Sequence, residues 1–204
     1  MFISNGTGHV ANRKGVASMI RRFCYSVYQF MRYYAALKQD FHQVHTQEEC
    51  VTKITADTLQ KVQVLVLDFD GVLAPHGALS PLPEVQVWLT DFIKTCEIPV
   101  YILSNKPNSQ RAVWFAQHYP AITFVAGVRK KPYPDGLHKI ADMTKVPLSQ
   151  ILLVDDRLAT GILATKIAGC QSLLIMHPYQ NRQAHPVKEK FLAFLRSAEQ
   201  WMVH

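Results

Sequence analysis

The segment Val64-Leu65-Val66-Leu67-Asp68-Phe69-Asp70-Gly71 constrains this chain more than any other. Four consecutive apolar residues ending in a carboxylate fit a strand buried on both faces, as in a parallel sheet covered by helices. In such sheets chemistry gathers at the carboxyl edge of the strands, where Asp68 and Asp70 fall. Strand alternation would point these two carboxylates the same way, with Phe69 turned elsewhere. Acids that close resist joint ionisation unless a cation or a shared proton relieves them. The competing reading is an acidic cap on a turn or helix.

Further strands are expected at 99–104 (PVYILS), 121–126, 151–156 (ILLVDD) and 172–176, after a first one at about 63–68. Helical spacing predicts helices near 83–95, 108–118, 135–144, 160–168 and 186–202, the last with Val187, Phe191, Phe194, Leu195 and Trp201 as its apolar stripe. This alternation predicts a three-layer α/β fold with a mainly parallel five-stranded sheet. The 204 residues, 49% of them apolar, suffice for one substantial core.

The N-terminus reads differently. Residues 1–15 are polar and without periodicity, and are expected to be disordered. Over 16–40 an amphipathic helix is predicted, with Val16, Met19, Ile20, Phe23, Val27, Phe30, Met31 and Tyr34 recurring at spacings of three and four. Before Asp40 there is no acidic residue, whereas Arg13, Lys14, Arg21, Arg22, Arg32 and Lys38 are basic, so most of the net charge of +7 belongs to this segment. Three readings stand side by side: a peripheral membrane anchor, a helix packed on the domain or on a second subunit, and an organellar targeting segment. No apolar stretch reaches the length of a membrane span. The four scattered cysteines form neither a CxxC pair nor a zinc pattern, which points to reduced thiols in a cytoplasmic compartment.

Three of the expected strands end in polar groups that suit one site. Asp68 and Asp70 follow the first, Ser104 and Asn105 the second, and Asp155 and Asp156 the fourth, while a loop supplies Lys130 and Lys131. Clustered carboxylates suit a hard cation such as Mg²⁺. A hydroxyl and an ammonium suit the oxygens of a phosphoryl group.

DFDGVL, LSN, KKP and LVDDR, in this order, resemble the motifs of the haloacid dehalogenase-like (HAD) phosphotransferases, with 41–204 as the catalytic domain. The resemblance implies Asp68 as the nucleophile of an aspartyl-phosphate, Asp70 as general acid/base, Ser104 as a hydrogen-bond donor to the phosphoryl group, and Lys131 as the neutralising ammonium. It also implies Mg²⁺ held by Asp68, the Asp70 carbonyl and an acid of the last motif, Asp156 or Asp155. Asn105, Lys130 and Gly71 are the expected substrate-binding residues. One departure stands out. Many relatives carry Gly then Asp where this chain has Asp155 and Asp156, and a further Asp where it has Gly161.

Only 33 residues separate Asp70 from Ser104 and 26 separate Ser104 from Lys131, too few for a cap domain in either gap. An open mouth admits phosphates on large molecules. Segments such as PEVQVWL, ILSNKPNSQRAVWFA and DDRLATGILATKIAG resemble the capless branch that includes phosphatidylglycerophosphate phosphatases. That implies a phosphomonoester hydrolase acting on a lipid-linked phosphate, with no nucleic-acid partner. Two alternatives remain: a phosphatase of soluble sugar, nucleotide or polynucleotide phosphates, and a non-catalytic phosphatase-like binding module. His76 and Lys106 are placed in loops that could line the mouth, and Tyr133 and Arg157 within reach of substrate.

Overall fold

A computed structural model describes residues 7–43, 47–106 and 108–204, with side chains described from residue 18 onward. Its centre is a parallel sheet of six strands: β1 (Gln47–Glu48), β2 (Val64–Leu67), β3 (Val100–Ile102), β4 (Ile122–Phe124), β5 (Ile151–Asp155) and β6 (Gln171–Ile175), in the spatial order β1-β6-β5-β2-β3-β4. The expected five strands are all present. The sixth, β1, is a two-residue edge strand beside Leu174 and Ile175, too short and polar to leave a periodic signal.

Alternation along β2 sorts its side chains into two cores. Leu65 and Leu67 pack with Val85, Leu89 and Phe92 of α3 (Pro83–Thr95) and Phe115 of α4 (Ser109–His118). Val64 and Val66 face Leu137 and Ile140 of α5 (Asp135–Thr144) and Ala164 of α6 (Leu163–Ala168). All four β2 side chains are fully buried, and each contributes about 1.5–3 kcal/mol of hydrophobic stabilisation. Local signals mark the helix limits: Pro83 opens α3, Asn108 caps α4 by accepting the Gln110 amide at 2.8 Å, and Gly169 closes α6 at φ +79°. Among the described residues, the stretch from Asp70 to Ser104 holds a loop, α3 and β3, and that from Ser104 to Lys131 holds α4 and β4, with no cap domain in either.

A third core lies against β6, where the N- and C-terminal helices meet. The helix α1 (Thr7–Arg32) begins inside the segment expected to be disordered, while residues 1–6 lie outside the described ones. It breaks at Tyr33 before α2 (Tyr34–Phe41), so the single helix expected over 16–40 is two. Phe30 and Leu37 pack with Leu158, Ile162, Leu174 and Val203, the last from α7 (Pro186–Val203).

The face of α7 is a correction to the sequence reading, and the face of α1 decides what that reading left open. Of α1, it is Phe30 together with Tyr25, Ser26 and Gln29 that turns inward: Tyr25 stacks on Tyr133 with centroids 4.2 Å apart, and Ser26 Oγ donates to the Ala159 carbonyl at 2.9 Å. Met19, Ile20, Phe23, Val27 and Met31 stay exposed. Likewise Val187, Phe191, Phe194 and Trp201 of α7 face outward, whereas Glu189, Arg196 and Glu199 are buried. Hydrophobic periodicity marks a stripe but not which side meets the protein. Here buried ion pairs decide the orientation of α7. No described helix is long and apolar enough to cross a membrane, and all four cysteines are free thiols.

Candidate active site

β2 and β5 are neighbours, with Leu67 beside Val154, so the residues that follow them emerge together at the carboxyl edge. Asp68, Asp155 and Asp156 there each offer a carboxylate oxygen within 4.8 Å of the others. Lys131, only 2% exposed, reaches in from the loop before α5. Its Nζ lies 3.2 Å from Asp68 Oδ1 and 2.5 Å from Asp155 Oδ2.

Gly71 makes the approach of the two strands possible. It adopts φ +91°, and a β-carbon there would lie 2.6 Å from Asp156 Oδ2. Only glycine meets both demands. Gly71 also donates its amide to the Ala74 carbonyl at 2.8 Å, closing the turn that follows β2.

Asp68 and Asp70 lie past the end of β2, so strand alternation does not extend to them. β2 ends at Leu67, and the turn sends Asp70 to a different set of partners. Arg111 of α4 grips Asp70 with two parallel bonds, Nη1 to Oδ2 at 3.1 Å and Nη2 to Oδ1 at 2.9 Å. The same guanidinium donates through Nε to the Ala78 carbonyl and covers the Phe69 ring at 3.9 Å from its centroid. His76 Nδ1 stands 3.6 Å from Asp70 Oδ1.

These surroundings separate the carboxylates electrostatically. Burial pushes Asp70 upward, but His76 and Arg111 outweigh it and hold the group well below the usual carboxylate range. Asp68 is raised, by burial first and then by Asp155 and Asp156, with Lys131 opposing. Asp156 is raised by burial and by Asp155, against the pull of Arg196. Burial would lower Lys131, yet Asp155 and Asp68 more than compensate and keep its ammonium firmly protonated. Three acids facing one ammonium leave the cluster short of positive charge.

α7 supplies part of the balance. Arg196 Nε donates to Asp156 Oδ2 at 2.8 Å, and Glu199 accepts from Arg157 Nε at 2.9 Å and from the Ala159 amide at 3.2 Å. Arg157 is thus committed to Glu199, and Tyr133 to its stack with Tyr25. Both oxygens of Asp155 are engaged, Oδ2 by Lys131 and Oδ1 by the Arg157 amide at 3.0 Å. Asp68 Oδ1 is buried without a well-directed hydrogen bond.

Ser104 accepts the Lys106 amide at 3.2 Å through Oγ, which leaves its own hydroxyl proton free to donate. Asn105 spends its side chain on the Lys131 backbone, accepting the amide at 2.6 Å and donating to the carbonyl at 3.2 Å. It holds the lysine loop in place, while Lys130 beside it is exposed. Arg111, Arg196 and Glu199 were not singled out from the sequence. Arg111 lies one turn before Phe115 on the buried face of α4, and Glu189, Arg196 and Val203 recur every seven residues on that of α7. Those placements were the available signals.

Residues 8–169 match the haloacid dehalogenase-like hydrolases, and the chain belongs to that family. The enzyme class read from the sequence, a HAD-type phosphatase, agrees with that membership. Among solved structures, the chain is similar to an uncharacterized protein from Corynebacterium glutamicum (18% identity, covering 67% of this chain and 96% of that one, TM-score 0.44). It is also similar to a predicted phosphoglycolate phosphatase from Haemophilus somnus (12% identity, 59% and 88% covered, TM-score 0.43). A third likeness is to a HAD family enzyme from Bacteroides thetaiotaomicron in complex with magnesium and inorganic phosphate (12% identity, 62% and 99% covered, TM-score 0.43). No curated protein matches the sequence.

Proposed function

We propose that this chain is a Mg²⁺-dependent phosphomonoesterase that works through an aspartyl-phosphate on Asp68, acting on a lipid-linked phosphate such as phosphatidylglycerophosphate. The observation that carries the reading is the meeting of Asp68, Asp156 and Lys131 at an uncapped sheet edge.

The donor set fits a hard divalent cation. Three carboxylate oxygens converge, one belonging to Asp68 with no well-directed hydrogen bond, and the cluster lacks positive charge. Asp68 and Asp156 would hold the ion with the Asp70 carbonyl, whereas Asp155 is tied to Lys131 and serves chiefly to place that ammonium. When bound, Mg²⁺ would neutralise charge on the phosphoryl oxygens and favour the ionised form of Asp68.

The chain's own residues divide the rest. An Asp68 oxygen forms a bond to phosphorus as the ester P–O bond breaks, and Lys131 and the Ser104 hydroxyl steady the phosphoryl oxygens. Asp70, once it has taken a proton from solvent, passes it to the departing alkoxide, and the carboxylate so formed takes one from the water that attacks phosphorus and releases inorganic phosphate and free Asp68. Arg111 keeps Asp70 ionised, the state needed to accept that proton. Delivery to the leaving group requires Asp70 to disengage from Arg111.

Support for a membrane-borne substrate comes from α1. Its outward Met19, Ile20, Phe23, Val27 and Met31 accompany Arg21, Arg22 and Arg32 on a segment free of acids before Asp40. An apolar stripe flanked by cations suits the surface of an anionic bilayer, where each cation contributes on the order of 1 kcal/mol.

The test is phosphate release from an aryl phosphate with and without Mg²⁺, using wild type, Asp68→Asn and Asp70→Asn. Loss of turnover in Asp68→Asn is expected, and activity that survives it would refute the nucleophile. Phosphatidylglycerophosphate in mixed micelles and co-sedimentation with anionic vesicles test the lipid reading. Equal activity on soluble esters together with no vesicle binding would remove it.

A further inference from the structure

We infer that a hollow between Lys106 and Lys188, beside Asp70, is a second anion subsite, which receives an anionic group carried by the same molecule whose phosphomonoester lies at Asp68. The inference rests on the phosphatase reading above and narrows its substrate class to phosphomonoesters bearing another anion, either a phosphodiester or a second phosphoryl group.

The hollow has a volume of about 390 Å³ and is lined by Gly77, Lys106, Asn108, Ser109, Arg111 and Lys188. It adjoins the catalytic acids directly. Arg111 in its wall is bonded to Asp70, and the Gly77 amide lies 3.4 Å from Asp70 Oδ1. Two unrelated elements bring the lysines together. Lys106 follows β3 two residues after Ser104, to which its amide is bonded, and Lys188 lies in the first turn of α7.

Neither ammonium has a carboxylate within ion-pair distance among the described residues. Glu189, next to Lys188 in the chain, is fully buried. Partial desolvation, followed by the Lys106 ammonium, pulls Lys188 below the ordinary lysine range, which places the two charges close to each other. Arg111 in the wall spends three of its five N–H donors on Asp70 and Ala78, so its charge is already paired with Asp70. Two neighbouring ammonium groups, with the carboxylates of Asp70 and Glu189 acting only from beyond ion-pair distance, form a site that an anion relieves. The capped N-terminus of α4, at Asn108 and Ser109, adds a partial positive charge on the same side.

The test compares kcat/KM for 1,3-propanediol bisphosphate and for propyl phosphate, which differ by one anion on the same carbon chain. Wild type is expected to prefer the bisphosphate about tenfold, the range of one charge-assisted contact. Lys188→Gln and Lys106→Gln should each bring the ratio close to unity, and Lys188→Arg should preserve it. A wild-type ratio near unity, or glutamine variants that slow both substrates equally, overturns the subsite while leaving the phosphatase reading intact. If neither ester is hydrolysed, that reading fails instead. Calorimetric binding of the same pair to Asp68→Asn, with and without Lys188→Gln, then decides the subsite alone: preference lost with Lys188 upholds it, and no preference ends it. Phosphatidylglycerophosphate in mixed micelles against its deacylated head group separates a membrane-borne anion from a soluble one.

Discussion

A β-carbon on Gly161 would lie 2.0 Å from the carboxyl carbon of Asp155. The carboxylate one position before Asp156 therefore occupies the room that a side chain at 161 would need. Where many relatives carry glycine and then a distant aspartate, this chain carries aspartate and then a distant glycine. The two departures from the motif that the sequence resembles therefore meet in space.

Reciprocal substitution tests the exchange. Gly161→Asp alone should destabilise the fold by about 1–3 kcal/mol or more through overpacking. Asp155→Gly alone strips the buried Lys131 ammonium of its 2.5 Å partner and should cost about 3–5 kcal/mol. Asp155→Gly/Gly161→Asp should be more stable than either single variant in urea denaturation. A double variant no better than the worse single one would show that the two sites are independent.

The grip of Arg111 on Asp70 sets a pH limit. Asp70 lies well below the usual carboxylate range when folded, so its stabilisation is present above the unfolded value of about 4 and is lost as pH falls through the depressed one. Arg111→Met should raise the Asp70 value, move to higher pH the acidic limb of the kcat profile, where Asp70 must be ionised to take the proton from water, and lower stability by about 3 kcal/mol. An unmoved acidic limb would show that another group governs it.

Asp68 and Asp156 behave in the opposite sense. Their folded values are raised, so the stability they contribute is present below about pH 4 and is lost as pH rises toward neutrality. A bound Mg²⁺ would have to displace these protons, so its stabilising effect should grow over that interval. The Tm increase on adding Mg²⁺ is expected to be larger at neutral pH than in mild acid, and to vanish in Asp68→Asn/Asp156→Asn. A pH-independent increase would place the ion elsewhere.

Arg196 ties α7 to the cluster. Arg196→Met leaves Asp156 buried without its 2.8 Å partner and should reduce unfolding free energy by about 3 kcal/mol at neutral pH. The loss should shrink in Asp156→Asn/Arg196→Met, measured as a double-mutant cycle. Additive losses would mean that the two groups do not interact.

The parts of this molecule that follow from uninterrupted apolar runs were readable in its sequence. Val64–Leu67 and Ile151–Val154 fit central strands best, and as neighbours they bring the acids after them to the same edge. Partners on helices were harder to see. Arg111, Arg196 and Glu199 occupy inward positions that hydrophobic spacing assigns to apolar residues. The stripes of α1 and α7 were found correctly as stripes, yet they face away from the core because tyrosine stacking and buried ion pairs hold the opposite sides. A one-dimensional pattern carries no information on which ion pairs will close in three dimensions. The edge strand β1 was beyond reach for a simpler reason, since two polar residues have no period.

Asp68 and Asp156 owe their meeting to the lateral pairing of β2 with β5, segments far apart in the chain. A nascent or partly refolded chain can bury the first of these strands against β3 and still possess no competent centre. Turnover therefore requires the docking of β5 against β2 and does not follow from formation of the β2–β3 pair alone. In stopped-flow refolding, recovery of phosphate release should lag behind the burial of Trp88, which packs beside the earlier strands.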